Sequence, residues 1–354
     1  MEKTSPEWGN PQPCGHARVQ EIMRWMLPLA VLCSSLLSLP GKDTDTYDPL
    51  EVKDSVIESR TLEVVDAGRG RTLPVRVYLP GTWKAAPVIL FSHGLGGSRD
   101  NNPYLGNHWA SRGYVVVFIQ HPGSDESVWK DTSAPQRLGK MREAASAKNL
   151  LLRIKDVPVV IDTLTKWNAE KDHPLHDRLD LKNLGMSGHS FGAVTTQAVS
   201  GQSIVGGRLS FTESRLSAAV MFSPSPAKLA DPATVFAAIR IPCLLMTGTL
   251  DTSPVGNMTA EDRLKVFPCL TKAPAWQVVF DKATHMSFGD RDLKGDSGEG
   301  NRYHKPILAI TTAFWDAHLR KNIAAKEWLN HRGARSVLAD KDRWEMNALA
   351  KPGL

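Results

Sequence analysis

The apolar and polar positions of the chain follow two patterns that predict strands. In 61–66 and 72–79, apolar residues alternate with polar ones, as in strands with one buried face. The segment "AGRGR" between them predicts a hairpin turn. Further along, the apolar residues run continuously, which is typical of strands buried on both faces. These runs are 87–94, 114–121, 181–188, 217–224, 241–248 and 276–281.

Segments of helical character separate the buried strands. They are 103–112, 141–167, 191–200, 257–267 and 303–320. Pro158 lies inside the second segment and is predicted to kink or break that helix. Strands that alternate with helices predict a parallel sheet with helices on both faces, and the hairpin adds antiparallel strands at one edge.

The two ends of the chain differ from this central region. Residues 26–39 form a short apolar stretch behind Arg24, which predicts a signal peptide around 23–41 within a leader at 1–41. Met23 or Met26 is an alternative start. We therefore expect an exported protein, periplasmic or secreted, although an uncleaved membrane anchor is an alternative. The main domain is predicted at 55–322, and a helical C-terminal tail at 323–354.

Composition and charge narrow the class of protein. The chain has 354 residues, 42% hydrophobic and 23% charged, which is typical of a globular protein. Its formal charge is +6, but Lys and Arg are scattered among acidic residues, so a nucleic-acid partner is not expected. Cys14 and Cys33 fall in the leader. Cys243 lies in an apolar run and is predicted to be a buried free thiol, with a disulfide to Cys269 as the alternative.

One glycine-flanked serine suggests chemistry. Gly188-His189-Ser190-Phe191-Gly192 lies between a buried strand and a helix. A G-x-S-x-G turn in that position lifts the serine above the sheet, and the N-terminus of the helix favours developing negative charge. A serine hydroxyl is a weak nucleophile unless a base accepts its proton. Ser190 is therefore a candidate nucleophile that needs a histidine and an acid.

Asp251 and His285 follow the serine in the chain order that this motif requires. Asp251 closes "IPCLLMTGTLD", and His285 lies in "VVFDKATHMSF", so each comes directly after a predicted strand. His285 would act as the base, and Asp251 would orient it. The rival residues have simpler explanations as surface, capping or packed side chains. They are Asp231, Asp281, His304 and His318.

The motif also requires backbone donors for an oxyanion. Phe191, which follows the serine, would supply one N–H. The glycine-rich loop "FSHGLGG" would supply the other from Leu95. We expect the remaining histidines near these segments to be structural. They are His93, His121 and His189.

Two polar stretches interrupt the alternation of strands and helices. Residues 122–140, which include Trp129, and residues 286–302 both follow strand ends. Because ligands of open α/β sheets bind at the carboxyl ends of strands, both stretches are candidate walls of the site. The alternative is that they are plain surface loops.

Five blocks together resemble the α/β-hydrolase superfamily. They are "FSHGLGGSRDNN", "GYVVVFIQHPG", "GHSFGAVTT", "IPCLLMTGTLD" and "ATHMSF", and the likeness covers roughly residues 60–320. They look most like the dienelactone-hydrolase-like branch, which includes platelet-activating-factor acetylhydrolase-like enzymes and, further off, cutinase-like polyester hydrolases. The resemblance implies an α/β-hydrolase fold with a mostly parallel eight-stranded sheet.

The resemblance also implies ester hydrolysis without a cofactor or a metal. It carries over the catalytic roles of Ser190, Asp251 and His285, with oxyanion N–H groups from Leu95 and Phe191. Two departures matter. Dienelactone hydrolases use a cysteine where this chain has Ser190, and cutinase-like enzymes usually carry an aromatic residue where it has Leu95.

We therefore expect a serine esterase that cleaves short-acyl, small-molecule esters through an acyl-enzyme. No stable membrane insertion is expected once the leader is removed. The alternatives are a phospholipid or longer-chain lipase, a polyester hydrolase and an acyltransferase. A catalytically silent binding module is an alternative of another class.

Overall fold

A nine-stranded sheet organises the part of the chain that the computed structural model describes. That part comprises residues 47–52, 56–204, 207–227, 230–253, 255–290 and 302–351. The predicted leader, 1–41, lies outside it, so the signal peptide and export stay predictions. In chain order the strands are β1 (Ile57–Asp66), β2 (Arg71–Pro80), β3 (Ala86–Ser92), β4 (Val115–Ile119), β5 (Leu179–His189), β6 (Leu216–Phe222), β7 (Cys243–Leu250), β8 (Ala275–Thr284) and β9 (Arg343–Met346).

The strands are arranged in the order β1-β2-β4-β3-β5-β6-β7-β8-β9. Strands β3 to β8 are mutually parallel, as the continuous apolar runs predict. β1 and β2 form the predicted antiparallel hairpin, joined by a 3₁₀ turn at Ala67–Arg69. β2 also pairs antiparallel with β4, and β9 pairs antiparallel with β8 at the opposite edge.

Helices cover both faces of the sheet. Along β3, Ile89 and Phe91 pack on one face with α1 and α8, while Val88 and Leu90 pack on the other with α4 and α5. The helices are α1 (Pro103–Ser111), α2 (Ser127–Lys130), α3 (Ala134–Ala144), α4 (Ala147–Ala169), α5 (Phe191–Val199), α6 (Pro232–Phe236), α7 (Ala260–Leu264), α8 (His304–His318), α9 (Ile323–Asn330) and α10 (Arg332–Ser336). The predicted α/β architecture is confirmed.

The predicted strand count of eight is wrong, because the tail at 323–354 is not purely helical. Its residues form α9, α10 and then β9, whose short sequence "RWEM" carries no apolar run that would predict a strand. β9 forms because its pairing satisfies the backbone N–H and C=O groups at the edge of β8. This long-range pairing is not visible in the local sequence pattern. Ala325, Leu329 and Ala334 are buried, so the tail packs on the domain.

Two local expectations also differ from the structure. Pro158 does not break α4, which continues from Ala147 to Ala169. Val157 and Val160 beside it are completely buried, and this packing outweighs the missing hydrogen bond. The polar stretch at 122–140 is not only turns, since it contains α2 and most of α3.

The cysteines of the described region are unpaired. Cys243 is buried in β7 and Cys269 is partly exposed, and both thiols are free. Burial raises the pKa of the Cys243 thiol to about 12, so it stays protonated and unreactive. The alternative of a Cys243–Cys269 disulfide is therefore not realised. Across the described ranges, every helix is too short or too polar to cross a bilayer.

Candidate active site

Ser190 occupies a strained turn between β5 and α5. Its backbone angles are φ 57° and ψ −114°, a conformation that non-glycine residues rarely adopt. The adjacent glycines are required by close approach. A methyl group on Gly192 would lie 1.8 Å from the Ser92 carbonyl oxygen, and one on Gly188 would lie 2.4 Å from the Gly192 carbonyl. The turn therefore depends on glycine at both positions, as a nucleophile elbow does.

The structure brings the three predicted side chains together. Ser190 Oγ lies 2.8 Å from His285 Nε2, and His285 Nδ1 lies 2.7 Å from Asp251 Oδ1. They follow β5, β7 and β8, whose carboxyl ends lie at the same edge of the sheet. With the imidazole proton on Nδ1 facing the carboxylate, Nε2 is free to accept the serine proton. We call Ser190, His285 and Asp251 the outer triad.

Asp251 is completely buried and is held by two further donors. Thr247 Oγ1 donates to Oδ2 at 2.9 Å, and Arg263 Nε lies 3.2 Å from Oδ1. Burial raises the pKa of this carboxyl, but the hydrogen bond from His285 and the charge of Arg263 outweigh it and lower the pKa to about 2. Asp251 is therefore ionised across the neutral range and keeps the imidazole oriented.

Arg263 was not foreseen from the sequence. It lies on the short helix α7 but is only 2% exposed. Its guanidinium also donates to the carbonyls of Ser223 and Pro224 and to Ser225 Oγ, which fixes it beside the triad. A charged residue in "AEDRL" predicts a solvated helix face, so the local pattern hides its buried position.

The rival residues lie away from the serine hydroxyl and have other partners. The Asp231 carboxylate accepts backbone N–H groups at the start of α6. Asp281 is anchored through its backbone, which bonds to Asp342 and Tyr303. His304 stacks on Tyr104 at 3.8 Å between ring centroids, and His318 packs against the rings of Trp276 and Phe314.

The two predicted oxyanion donors belong to segments next to the serine. A methyl group on Gly94 would come within 3.6 Å of Ser190 Cβ, so the loop that carries Leu95 is next to the hydroxyl. Phe191 begins α5 directly after Ser190. Within the described ranges, neither the Leu95 N–H nor the Phe191 N–H donates a hydrogen bond. Both are available to a ligand oxygen.

His189 positions the loop of the triad histidine. Its Nε2–H donates to the His285 carbonyl oxygen at 3.0 Å, and the two rings lie 4.7 Å apart. Burial lowers the pKa of His189 to about 3, with the neighbouring His285 adding to the effect. His189 is therefore neutral near pH 7 and adds no charge beside the triad.

A second Ser–His–Asp arrangement lies beneath the first. Ser92 Oγ is 2.9 Å from His121 Nε2, and His121 Nδ1 is 2.9 Å from Asp156 Oδ2. We call these three residues the inner cluster. All are completely buried. His121 is predicted from the sequence to be structural, whereas no sequence motif marks Ser92 or Asp156.

The inner cluster is neutral at its histidine and charged at its acid. Burial lowers the pKa of His121 to about 4. Burial raises the pKa of Asp156, but hydrogen bonds from His121 and Arg71 outweigh it and lower the pKa to about 2. Arg71 and Arg69 each lie within 3.1 Å of the Asp156 carboxylate. The three side chains of the inner cluster satisfy one another's polar atoms, and none of them is exposed.

The polar stretch at 122–140 lies against the oxyanion loop. Trp129 Nε1 donates to the Gly96 carbonyl at 2.7 Å, and a methyl on Gly96 would collide with both Trp129 and Met141. Part of the second candidate wall, 291–301, lies outside the described residues. Just before it, the Phe288 carbonyl accepts hydrogen bonds from Asn102 Nδ2 at 2.5 Å and Tyr104 OH at 3.1 Å.

Parts of the chain are similar to known sequences. Residues 77–157 match the family model "Platelet-activating factor acetylhydrolase, isoform II". The platelet-activating factor acetylhydrolase of Bos taurus is 30% identical over 152 residues, covering 33% of this chain and 34% of that protein. The corresponding Canis lupus familiaris protein is 28% identical over 163 residues, covering 35% and 36%. The chain thus matches about a third of the length of these relatives.

A solved structure shares the architecture. The ferulic acid esterase from Streptomyces cinnamoneus superposes with a TM-score of 0.54 at 18% identity, covering 76% of this chain and 92% of that one. At that identity the likeness concerns the fold alone. The sequence similarity thus covers about a third of the chain, whereas the similarity of fold covers 76% of it.

Proposed function

We propose that this protein is a serine hydrolase that cleaves carboxylic esters at the outer triad. The observation that carries the proposal is the hydrogen-bond chain from Ser190 Oγ through His285 to Asp251, with distances of 2.8 Å and 2.7 Å. A catalytically silent protein would gain nothing from a strained serine. Nor would it gain from a buried, ionised aspartate and two N–H groups near the serine that have no partner among the described residues.

The reaction follows from the positions of these atoms. Ser190 Oγ attacks the ester carbonyl carbon while His285 Nε2 takes its proton, which gives a tetrahedral intermediate. The imidazolium then returns the proton to the departing alcohol, and the acyl group remains on Ser190. Water repeats the sequence with His285 as base, releasing the carboxylic acid and restoring the serine. Asp251 stabilises the imidazolium in both halves.

The oxyanion of each tetrahedral intermediate lies between the two backbone donors. Leu95 lies in the loop next to Ser190 and Phe191 directly follows it, and neither N–H has a partner among the described residues. One such donor contributes roughly 3–4 kcal/mol to lowering the barrier. The strain at Ser190 is consistent with this role, because the positive φ keeps the residue out of the regular helix and its hydroxyl lies 2.8 Å from His285 Nε2.

Short acyl groups are the proposed substrates. The relatives matched by sequence are named acetylhydrolases, which supports a small acyl site. Leu95 is aliphatic, whereas cutinase-like polyester hydrolases usually carry an aromatic residue at this position. Trp129 is fixed on the Gly96 carbonyl near the same loop and is placed to limit the space there.

The test is covalent labelling combined with a chain-length series. We expect wild-type protein to react with a fluorophosphonate probe and to hydrolyse p-nitrophenyl acetate faster than the octanoate or palmitate. Ser190→Ala should abolish both labelling and turnover while the thermal unfolding midpoint stays near that of wild type. Equal labelling of wild type and Ser190→Ala would overturn the mechanism. A preference for the long esters would overturn only the substrate assignment.

A further inference from the structure

We propose that Arg153 is a positioning residue that holds both halves of the oxyanion hole at once. This inference rests on the proposed function, because it concerns the same two backbone donors. Arg153 does not contact the substrate in this proposal. It acts through the two segments that carry the Leu95 and Phe191 N–H groups.

Arg153 is a fully buried cation on the sheet-facing side of α4. Its side chain has no exposed surface. The guanidinium donates to the His93 carbonyl, to Ser92 Oγ at 3.3 Å and to Ser124 Oγ at 3.3 Å. Burying a guanidinium costs several kcal/mol unless its surroundings compensate for lost water. A position of this kind calls for a reason beyond filling space, because an apolar residue would fill it at less cost.

On the first side, Arg153 holds the segment that orients Leu95. It binds the carbonyl of His93, and the His93 ring binds the next carbonyl, Nδ1–H donating to Gly94 O at 2.6 Å. The Gly94 carbonyl and the Leu95 N–H belong to one planar trans peptide and so point in opposite directions. Fixing the Gly94 carbonyl therefore fixes the direction of the Leu95 N–H.

The His93 ring is itself fixed in this arrangement. Its Nε2 accepts the backbone N–H of His121 at 3.0 Å, so both ring nitrogens are used. Burial, with the charge of Arg153, lowers the pKa of His93 well below its usual value, and the ring remains a neutral donor and acceptor. Arg153 and His93 thus secure two successive carbonyls of the loop.

On the second side, Arg153 packs on Phe191. Its guanidinium carbon lies 4.7 Å from the centroid of the Phe191 ring, within the range of a cation–π contact. The backbone N–H of that same residue is the other proposed donor. One side chain therefore links the loop after β3 to the first residue of α5, and these two segments carry the two donors.

The Asp156 charge attracts Arg153, but the hydrogen bonds of Arg153 go to the His93 carbonyl, Ser92 and Ser124. Asp156 is already bound by His121, Arg69 and Arg71, while Arg153 makes no hydrogen bond to it. Arg71 contacts Asp156 and the Pro122 carbonyl but neither donor segment. Arg71 is consequently a matched control from the same network.

The experiment compares Arg153→Met, Arg153→Lys and Arg71→Met in the full chain. For each, kcat and KM are measured on p-nitrophenyl acetate, with enzyme concentration taken from active-site titration. The affinity of a trifluoromethyl ketone, which forms a tetrahedral adduct on Ser190, is measured alongside the thermal midpoint. Losing one oxyanion donor costs about 10²–10³ in kcat, so a displaced donor should cost about 10–100-fold.

We expect Arg153→Met to lower kcat by that factor with KM changed less than about threefold, and to weaken the adduct by the same factor as kcat/KM. Arg153→Lys keeps the cation and should recover part of the loss. Arg71→Met should lower the thermal midpoint while kcat changes less than about threefold. Should Arg153→Met fail to fold, Arg153→Lys decides, with an expected loss of about 3–10-fold scaled from the same donor effect.

Three results would overturn the inference. One is unchanged kcat per titrated site in the Arg153 variant that folds. Another is an equal fall of kcat in Arg71→Met. The third is a loss of kcat with no matching loss of adduct affinity. Wild-type protein that neither labels nor hydrolyses any ester would instead show that the proposed function itself has failed, a result visible before any arginine variant is made.

Discussion

The chain builds a serine–histidine–aspartate hydrogen-bond chain twice, and the two copies are close in geometry. In the outer triad the two distances are 2.8 Å and 2.7 Å, and in the inner cluster both are 2.9 Å. In each, an ionised aspartate with a pKa of about 2 faces a histidine nitrogen. Hydrogen-bond geometry alone therefore does not distinguish a candidate catalytic site from a structural network.

The difference lies in access and in the backbone. The side chain of His285 is 15% exposed, whereas that of His121 has no exposed surface. Ser190 has a positive φ at a strand–helix turn, while Ser92 ends the extended strand β3. Next to Ser190 there are two N–H groups without partners in the described region, whereas Ser92 Oγ is already shared between His121 and Arg153. Of the two arrangements, only the outer triad combines an exposed histidine with N–H groups that have no partner among the described residues.

The largest effect that separates the two arrangements is on turnover. Asp251→Asn should lower kcat by about 10⁴-fold, because the asparagine favours the wrong imidazole tautomer. Asp156→Asn should leave kcat per titrated site within about threefold and instead lower the free energy of unfolding by about 3–5 kcal/mol, since it removes a buried charge that pairs with the partly buried Arg69 and Arg71. Ester hydrolysis and urea denaturation of both variants would check this. A collapse of kcat per titrated site in Asp156→Asn would make the inner cluster catalytic.

The next largest effect is at the contact between the two arrangements. In Gly192→Ala the new methyl would lie 1.8 Å from the Ser92 carbonyl, so the nucleophile elbow and the end of β3 must separate. We expect more than about 3 kcal/mol of destabilisation and loss of labelling. The matched control is Gly139→Ala in α3, where nothing lies within 4 Å and a gain of up to about 1 kcal/mol is expected. A wild-type thermal midpoint for Gly192→Ala would contradict the close approach.

A smaller effect is expected from replacing each serine, because one replacement should change stability and the other should change turnover. Ser92→Ala leaves His121 Nε2 without its hydroxyl donor, and should lower the free energy of unfolding by about 1–3 kcal/mol with kcat nearly unchanged. Ser190→Ala should do the opposite, abolishing turnover while leaving stability close to that of wild type. Urea titration measures the free energy of unfolding of both variants, and p-nitrophenyl acetate assays measure their kcat. Identical stability profiles would mean that the inner cluster contributes nothing to the fold.

The smallest effect is on the pH dependence of stability. The pKa of His121 is about 4 in the folded protein and about 6.5 in an unfolded chain, so the unfolded state binds more protons between these values. Stability is therefore full above pH 6.5 and falls as the pH drops toward 4. From pH 7.5 to 5.5, His121→Gln should lose about 1 kcal/mol less than wild type in denaturant titrations. An unchanged pH slope would show that His121 is charged in the folded protein.

The outer triad could be predicted because the sequence around each of its members marks that residue. Each member follows a continuous apolar run, and parallel strands bring their carboxyl ends to one edge of the sheet. Chain order and the glycine-flanked serine then select Ser190, Asp251 and His285. The β3–β8 core was predictable for the same reason, since strands buried on both faces produce unbroken apolar runs.

The inner cluster could not be foreseen, because no motif links its members. Ser92, His121 and Asp156 belong to different elements, and only the completed sheet and α4 bring them together. One signal was present: Arg153 and Asp156 fall on the same face of α4 as the buried Val157 and Val160. Two opposite charges on an apolar helix face predict a buried polar network. Arg263 gave no such signal, because α7 is too short to show a face.

The antiparallel pairing of β9 with β8 has a practical consequence for anyone who trims this polypeptide. The sequence alone would set the domain boundary at residue 322. Cutting there would remove β9, whose residues 343–346 pair with residues 276–279 of β8. β8, the strand that leads to His285, would become an exposed apolar edge strand, available to pair with other molecules. Shortened versions should therefore precipitate or form aggregates, and recombinant material is best kept intact through Ala350.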